Sequence, residues 1–110
     1  VTVMGLAATT AAFRYCDEWH QQQKAYLREN RDYLVSEINN IEGLRAIAPA
    51  ATFLLWVDAS ALHLEDTQAW CEAKGVGPSP GKDFGDKTCF RLNFGCSRDY
   101  LVEAVEKLKG

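Results

Sequence analysis

Between Cys89 and Ser97 the chain reads CFRLNFGCS, and its large apolar side chains fall on every second residue. Phe90, Leu92 and Phe94 alternate with Cys89, Arg91 and Asn93, the two-residue period of a strand with one buried face. Such a strand needs a covering layer over its apolar side. The alternation also sets a guanidinium, Arg91, in mid-strand on the side away from that stripe. Two readings of Arg91 stand open. It is an ion-paired or solvated arginine on the less buried face, or it projects into a cleft and grips a carboxylate, a task that suits a planar, always-charged fork. Asn93 shares its face and either braces such a site or bonds the local backbone near the strand end.

The rest of the chain supplies the covering layer. From Trp19 onward, Trp19, Gln23, Tyr26, Leu27, Asn30, Leu34 and Ile38 recur at three- and four-residue steps, with charged residues between them, so the segment reads as a long amphipathic helix. Asp17 and Glu18 suit its start, and Gly43 closes the helical region. Thr2 to Tyr15 reads as a separate, less polar helix. LRAIA (44–48) and TFLLWVD (52–58) read as strands, the second apolar on both sides and so expected inside the sheet, covered on both faces. ASALHL is a connection with room for one helical turn, and Glu65 to Lys74 is a helix stopped by Gly75. GVGPSPGKDFGD, with four glycines and two prolines, is a loop, with an extended piece expected at Val76. Ser97 is the expected N-cap of a last helix striped by Leu101, Ala104, Val105 and Leu108. The predicted fold class is α+β: a small antiparallel or mixed sheet of three to four strands with helices packed on one face.

Several function classes are disfavoured. Twelve basic against fifteen acidic residues leave a net charge of −3, with no concentrated basic patch for nucleic acid. No apolar run approaches the roughly 18–20 residues of a membrane span. The cysteines Cys16, Cys71, Cys89 and Cys96 form no C-x-x-C pair and neighbour neither His20 nor His63, which argues against a zinc site. The composition reads as a reduced, cytoplasmic protein with inert thiols. Cys96 precedes a helix start that could lower its pKa, although the inert reading is preferred. GPSPGKDFG matches neither the P-loop nor the dinucleotide fingerprint. Phe53 and Trp56 are expected in the core, whereas Phe84, in the loop, is placed to cover a cleft. The histidines have no adjoining acid or nucleophile, so neither is a catalytic candidate.

Taken in order, ATFLLWVDAS, GVGPSPGKDFGD and FRLNFGCSRDYLVEAVEKL resemble the C-terminal small domain of the pyridoxal-phosphate-dependent class I/II aminotransferases (fold-type I). The branch they resemble holds the cystathionine β-lyase-like C–S lyases. Members of that family show a T-Y-L-x-W-x-D strand, a G-V-x-x-x-P-G-x-x-F-G loop and an F-x-R-L-N-x-x-x-P strand in this sequence. AAFRYCDEWHQQQKAYLRENRDYL is similar to the family's long helix leading into the domain. The resemblance covers nearly the whole chain, and the ordered set is more specific than any one piece. Phe53 stands where Tyr is common, Ser97 where Pro is usual and Cys16 where Gly is frequent. The DKTCF segment is shorter than the family's loop, which weakens its implied contacts with substrate.

The resemblance implies that Arg91 binds the α-carboxylate of an amino-acid substrate, with Asn93, Gly81 and Phe84 lining or supporting the cleft. It implies pyridoxal 5'-phosphate in the parent enzyme, a homodimer, whose cofactor-bearing lysine lies in a large domain outside this chain. Residues 1–16 are then the end of a helix linking to that missing domain, and 17–110 the small domain. Neither catalysis nor bound cofactor is expected of the chain alone. No nucleic-acid or membrane partner is implied. The rival expectation is an independent α+β domain that binds an amino acid or a partner protein. The apolar stretch from Val1 to Ala12 separates the two, since a self-sufficient domain would not leave it uncovered.

Overall fold

The computed structural model describes residues 1–110. Helix α1 spans Val3–Tyr15 and is capped by Thr2, whose Oγ1 accepts a hydrogen bond from the Gly5 amide at 2.9 Å. Cys16 breaks the helical path, and α2 runs Asp17–Asn39. Strand β1 is Arg45–Ala46 and β2 is Leu54–Asp58, followed by a 3₁₀ turn at Ser60–Leu62. Helix α3 is Thr67–Ala73, β3 is Ser79–Pro80, a second 3₁₀ turn spans Gly81–Phe84, β4 is Cys89–Asn93, and α4 is Arg98–Lys109. The four strands form one antiparallel sheet in the order β1-β2-β4-β3. The α+β architecture is as the sequence predicts.

The core lies between the sheet and the helices. Leu55 and Val57 of β2, with Phe90 and Leu92 of β4 and Phe94 just beyond it, meet Leu34 and Ile38 of α2, Cys71 of α3, and Leu101, Val105 and Leu108 of α4. Each fully buried side chain of this size contributes about 1.5–3 kcal/mol. The other sheet face has no helix over it. Trp56, on that face, is 39% exposed, which corrects the expectation that β2 is covered on both sides; Phe53, just before β2 and beside Leu27 of α2, is 46% exposed, and neither ring belongs to the core. An apolar run on both faces is compatible with burial but does not compel it. The extended piece of the long loop also differs. It falls at Ser79–Pro80, pairing with β4, while Val76 instead packs into the core. Pro80 is tolerated because β3 is an edge strand.

Polar side chains fix α2 to the sheet. Asn30 is fully buried; its Nδ2 donates to the carbonyls of Phe94 (3.1 Å) and Cys96 (2.9 Å), and its Oδ1 accepts from Arg98 Nε (3.0 Å). Asn39 brackets Ala46 at the outer edge of β1, donating to its carbonyl at 2.9 Å and accepting its amide at 2.8 Å. Ser97 occupies the N-cap of α4, as expected, but makes no capping bond through its side chain. The Arg98 amide instead donates to the Tyr26 hydroxyl at 2.8 Å, and the Arg98 guanidinium lies 5.2 Å from the Tyr26 ring. Helix α1 contributes no buried residue, and Met4 and Phe13 are about four-fifths exposed.

Replacing Asn30 with Leu keeps the branched four-atom outline of the side chain but strands two carbonyls and a guanidinium N–H, each worth about 1–3 kcal/mol when buried and unpaired. Asn30→Leu is expected to lower stability by about 2 kcal/mol or more, read as a lower urea midpoint at constant slope.

Candidate functional site

Burial of Phe90 and Leu92 beneath the helices sends Arg91 to the uncovered face. Its antiparallel partners there are Trp56 on β2 and Ser79 on β3. The Gly81–Phe84 turn then folds Phe84 back over the sheet. Arg91 Cζ lies 4.4 Å from the centre of the Phe84 ring, and Trp56 meets Phe84 edge-on, with centroids 6.1 Å apart and planes at 82°. A guanidinium stacked this way gains about 0.5–2 kcal/mol and loses freedom to wander.

The donors of Arg91 are largely unspent. Its Nε is buried with no acceptor in reach, and Nη2 is 3.5 Å from Ser79 Oγ, at the limit of a hydrogen bond. No carboxylate of the chain ion-pairs with it, whereas Arg31 pairs with Asp32 at 2.9 Å and Arg98 with Glu29 at 3.4 Å. Asp58, two residues past Trp56, is engaged elsewhere. The hydroxyl and amide of Ser60 hold its carboxyl below the usual carboxylate range, the amide bonding it at 2.8 Å. Chemically, the face offers a fixed, unneutralised fork flanked by two aromatic rings. An anion meeting it gains a charge-assisted contact. Hollows of about 240, 170 and 490 Å³ elsewhere on the surface are lined by other residues, and Arg91 itself is half-buried.

The other expected site residues take different parts. Asn93 shares the Arg91 face, and its Oδ1 accepts the Gly95 amide at 2.8 Å, which braces the turn after β4. Phe84 is 52% exposed and covers Arg91. Gly81 is buried, and a Cβ there would run into the carbonyl oxygens of Cys89 and Asp86. It lets the turn lie against β4 and so carries Phe84 into place. The sequence reading put Trp56 in the core and so missed it as a site neighbour; the polar Asp58 two residues on, which shares its strand face, was the available signal. Burial pushes the thiols of Cys71, Cys89 and Cys96 up, Cys71 to about 11. For Cys96 the burial acts in the direction opposite to activation, in keeping with the inert reading preferred above.

With this geometry in view, the sequence matches the aminotransferase class I and II family over residues 2–108. The chain belongs to that family. It is 31% identical to cystathionine beta-lyase of Corynebacterium glutamicum, over 98% of this chain and 30% of that protein. The crystal structure of OvoB superposes with a TM-score of 0.94 at 42% identity, covering 98% of this chain and 28% of OvoB. A candidate PLP-dependent beta-cystathionase from Corynebacterium diphtheriae superposes with a TM-score of 0.91 at 33% identity, covering 99% and 30%. The chain spans less than a third of the length of each of these proteins.

Gly81→Ala is expected to displace the turn from β4 and to cost about 1–3 kcal/mol, the usual range for forcing a methyl into a packed site. Thermal unfolding checks it; an unchanged midpoint would show that the turn absorbs the methyl.

Proposed function

We propose that this chain is the C-terminal small domain of a pyridoxal-phosphate-dependent enzyme acting on amino acids, and that Arg91 holds the substrate α-carboxylate. The observation that carries the reading is the fixed guanidinium on an open sheet face, free of any acid of its own chain. Its family and the share of relatives it spans support the reading. In this view residues 17–110 form the domain, and residues 1–16, chiefly α1, lead to a larger domain that supplies the wall opposite Arg91. The uncovered apolar residues of α1 favour that arrangement over an independent binding domain.

Pyridoxal phosphate, when bound, supplies the electron sink that weakens bonds at the amino-acid Cα. The residues of this chain do not fit as its anchor. Lys107 and Lys109 are tied to Glu103 and to Glu37 and Glu106, Lys74 lies over the Trp70 ring, and Lys24, Lys82 and Lys87 are exposed. We therefore assign the chain no catalytic group. Its part is to bind and orient: Arg91 takes the carboxylate, Phe84 and Trp56 limit water around that contact, and Asn93 holds the neighbouring turn. The reaction of the whole enzyme is transamination or β-elimination at a C–S bond, and a homodimer is its proposed assembly.

In the complete enzyme, Arg91→Lys is expected to lower kcat/KM for the amino-acid substrate by about 10- to 100-fold, since a point charge replaces a two-toothed contact worth about 1.5–3 kcal/mol. Cofactor absorbance should be unchanged. Full activity in the variant removes Arg91 from the site. The chain alone, mixed with pyridoxal phosphate, is expected to form no stoichiometric absorbance band that survives dialysis.

A further inference from the structure

Lys24, Arg28 and Arg31 stand at i, i+4 and i+7 along α2, on one side of the helix. They border a hollow of about 240 Å³, which Leu27, Phe53 and Phe94 line from below and the loop 49–52 closes on the far side. No acidic residue lines it, although the chain as a whole carries a net charge of −3. The carboxylates next along α2 are occupied: Asp32 holds Arg31 at 2.9 Å, and Glu29 holds Arg98 at 3.4 Å. Arg31 also donates to the Pro49 carbonyl at 3.4 Å, which ties the helix to the loop. Lys24 and Arg28 have no ion pair or side-chain hydrogen bond. Like charges gathered on one helix side repel, and a shared counter-charge relieves that repulsion.

The floor has a different chemistry. Phe53 keeps nearly half its surface open while one side of the ring lies against Gly95. It follows Thr52, a β-branched residue held at φ 71°, a conformation costing about 1–3 kcal/mol. The hollow has room for about eight waters at ~30 Å³ each, enough for an aromatic ring with one acid group. Arg91, Trp56 and Phe84 are not among its lining residues.

We propose that this hollow is a second anion site, one that takes a small organic anion with an apolar body: a carboxylate or a phosphate monoester on a ring or branched chain. The acid group meets Lys24 and Arg28 at the rim, and the apolar body lies on Phe53 and Leu27. The two acid types share this chemistry, and direct titration tells them apart.

The test follows backbone amides of the ¹⁵N-labelled chain while phenyl phosphate, benzoate or neutral benzamide is added. Saturating shifts centred on Thr52, Phe53 and Phe94 are expected with one or both anions and not with benzamide. The tighter of the two identifies the preferred acid. Lys24→Gln with Arg28→Gln, both exposed side chains, should weaken binding by about tenfold with the amide spectrum otherwise unaltered. Arg91→Leu should leave it intact, which separates this site from the one proposed above. Equal shifts with benzamide, undiminished binding by the double variant, or loss of binding in Arg91→Leu each overturns the proposal. Tighter binding of an acidic, phenylalanine-containing hexapeptide than of either small anion would also overturn it, in favour of a polypeptide occupant.

Discussion

The register of β4 governs this molecule. Phe90, Leu92 and Phe94 must lie under the helices, and that requirement alone decides which way Arg91 and Asn93 face. A slip by one residue exchanges the two sets. It would place a guanidinium among Leu34, Ile38 and Val105, where no acid awaits it, at a cost of several kcal/mol, and it would expose two phenylalanines and a leucine. The functional face is therefore a by-product of core packing, specified by the same residues that hold the fold together.

What surrounds Arg91 shows how a charge is kept ready without being neutralised. An acidic neighbour would position it more firmly, but would also occupy the donors a ligand needs. Phe84 holds the guanidinium through one flat face, Trp56 braces Phe84 edge-on, and no acid of the chain claims the rim. The arrangement tolerates one buried N–H with no acceptor, a defect of about 1–3 kcal/mol offset in part by stacking. Gly81 is the remote contributor, since a turn that could not approach β4 would not deliver Phe84 to this position.

Local pattern carried much of this into the sequence. The helix over Asp17–Asn39 and the strand over Cys89–Asn93 follow from the spacing of their apolar residues, and Arg91 with Asn93 follows from the strand's alternation. Three features were hidden for different reasons. Trp56 and Phe53 looked internal because hydrophobicity says what can be buried, not what is. Strand β3 is only two residues long, one of them proline, so it has no periodicity to read. The Tyr26 hydroxyl at the start of α4 joins residues 72 apart in the chain, and no local rule connects them. Phe84 could be placed in the loop, but its stacking on Arg91 depends on how the Gly81 turn closes, which is a tertiary matter.

Asn39 and Pro80 bound the sheet at opposite margins, and together they bear on how copies of this chain behave in a crowded solution. At one margin a side-chain amide already satisfies both backbone groups of Ala46; at the other, the imino ring leaves no amide hydrogen to share. Neither border offers the ladder of vacant partners on which an intruding strand would polymerise. Aggregation by edge-to-edge addition is thus discouraged by two residues far from any chemistry, and the sheet can leave a broad face uncovered without inviting fibrils at its rims.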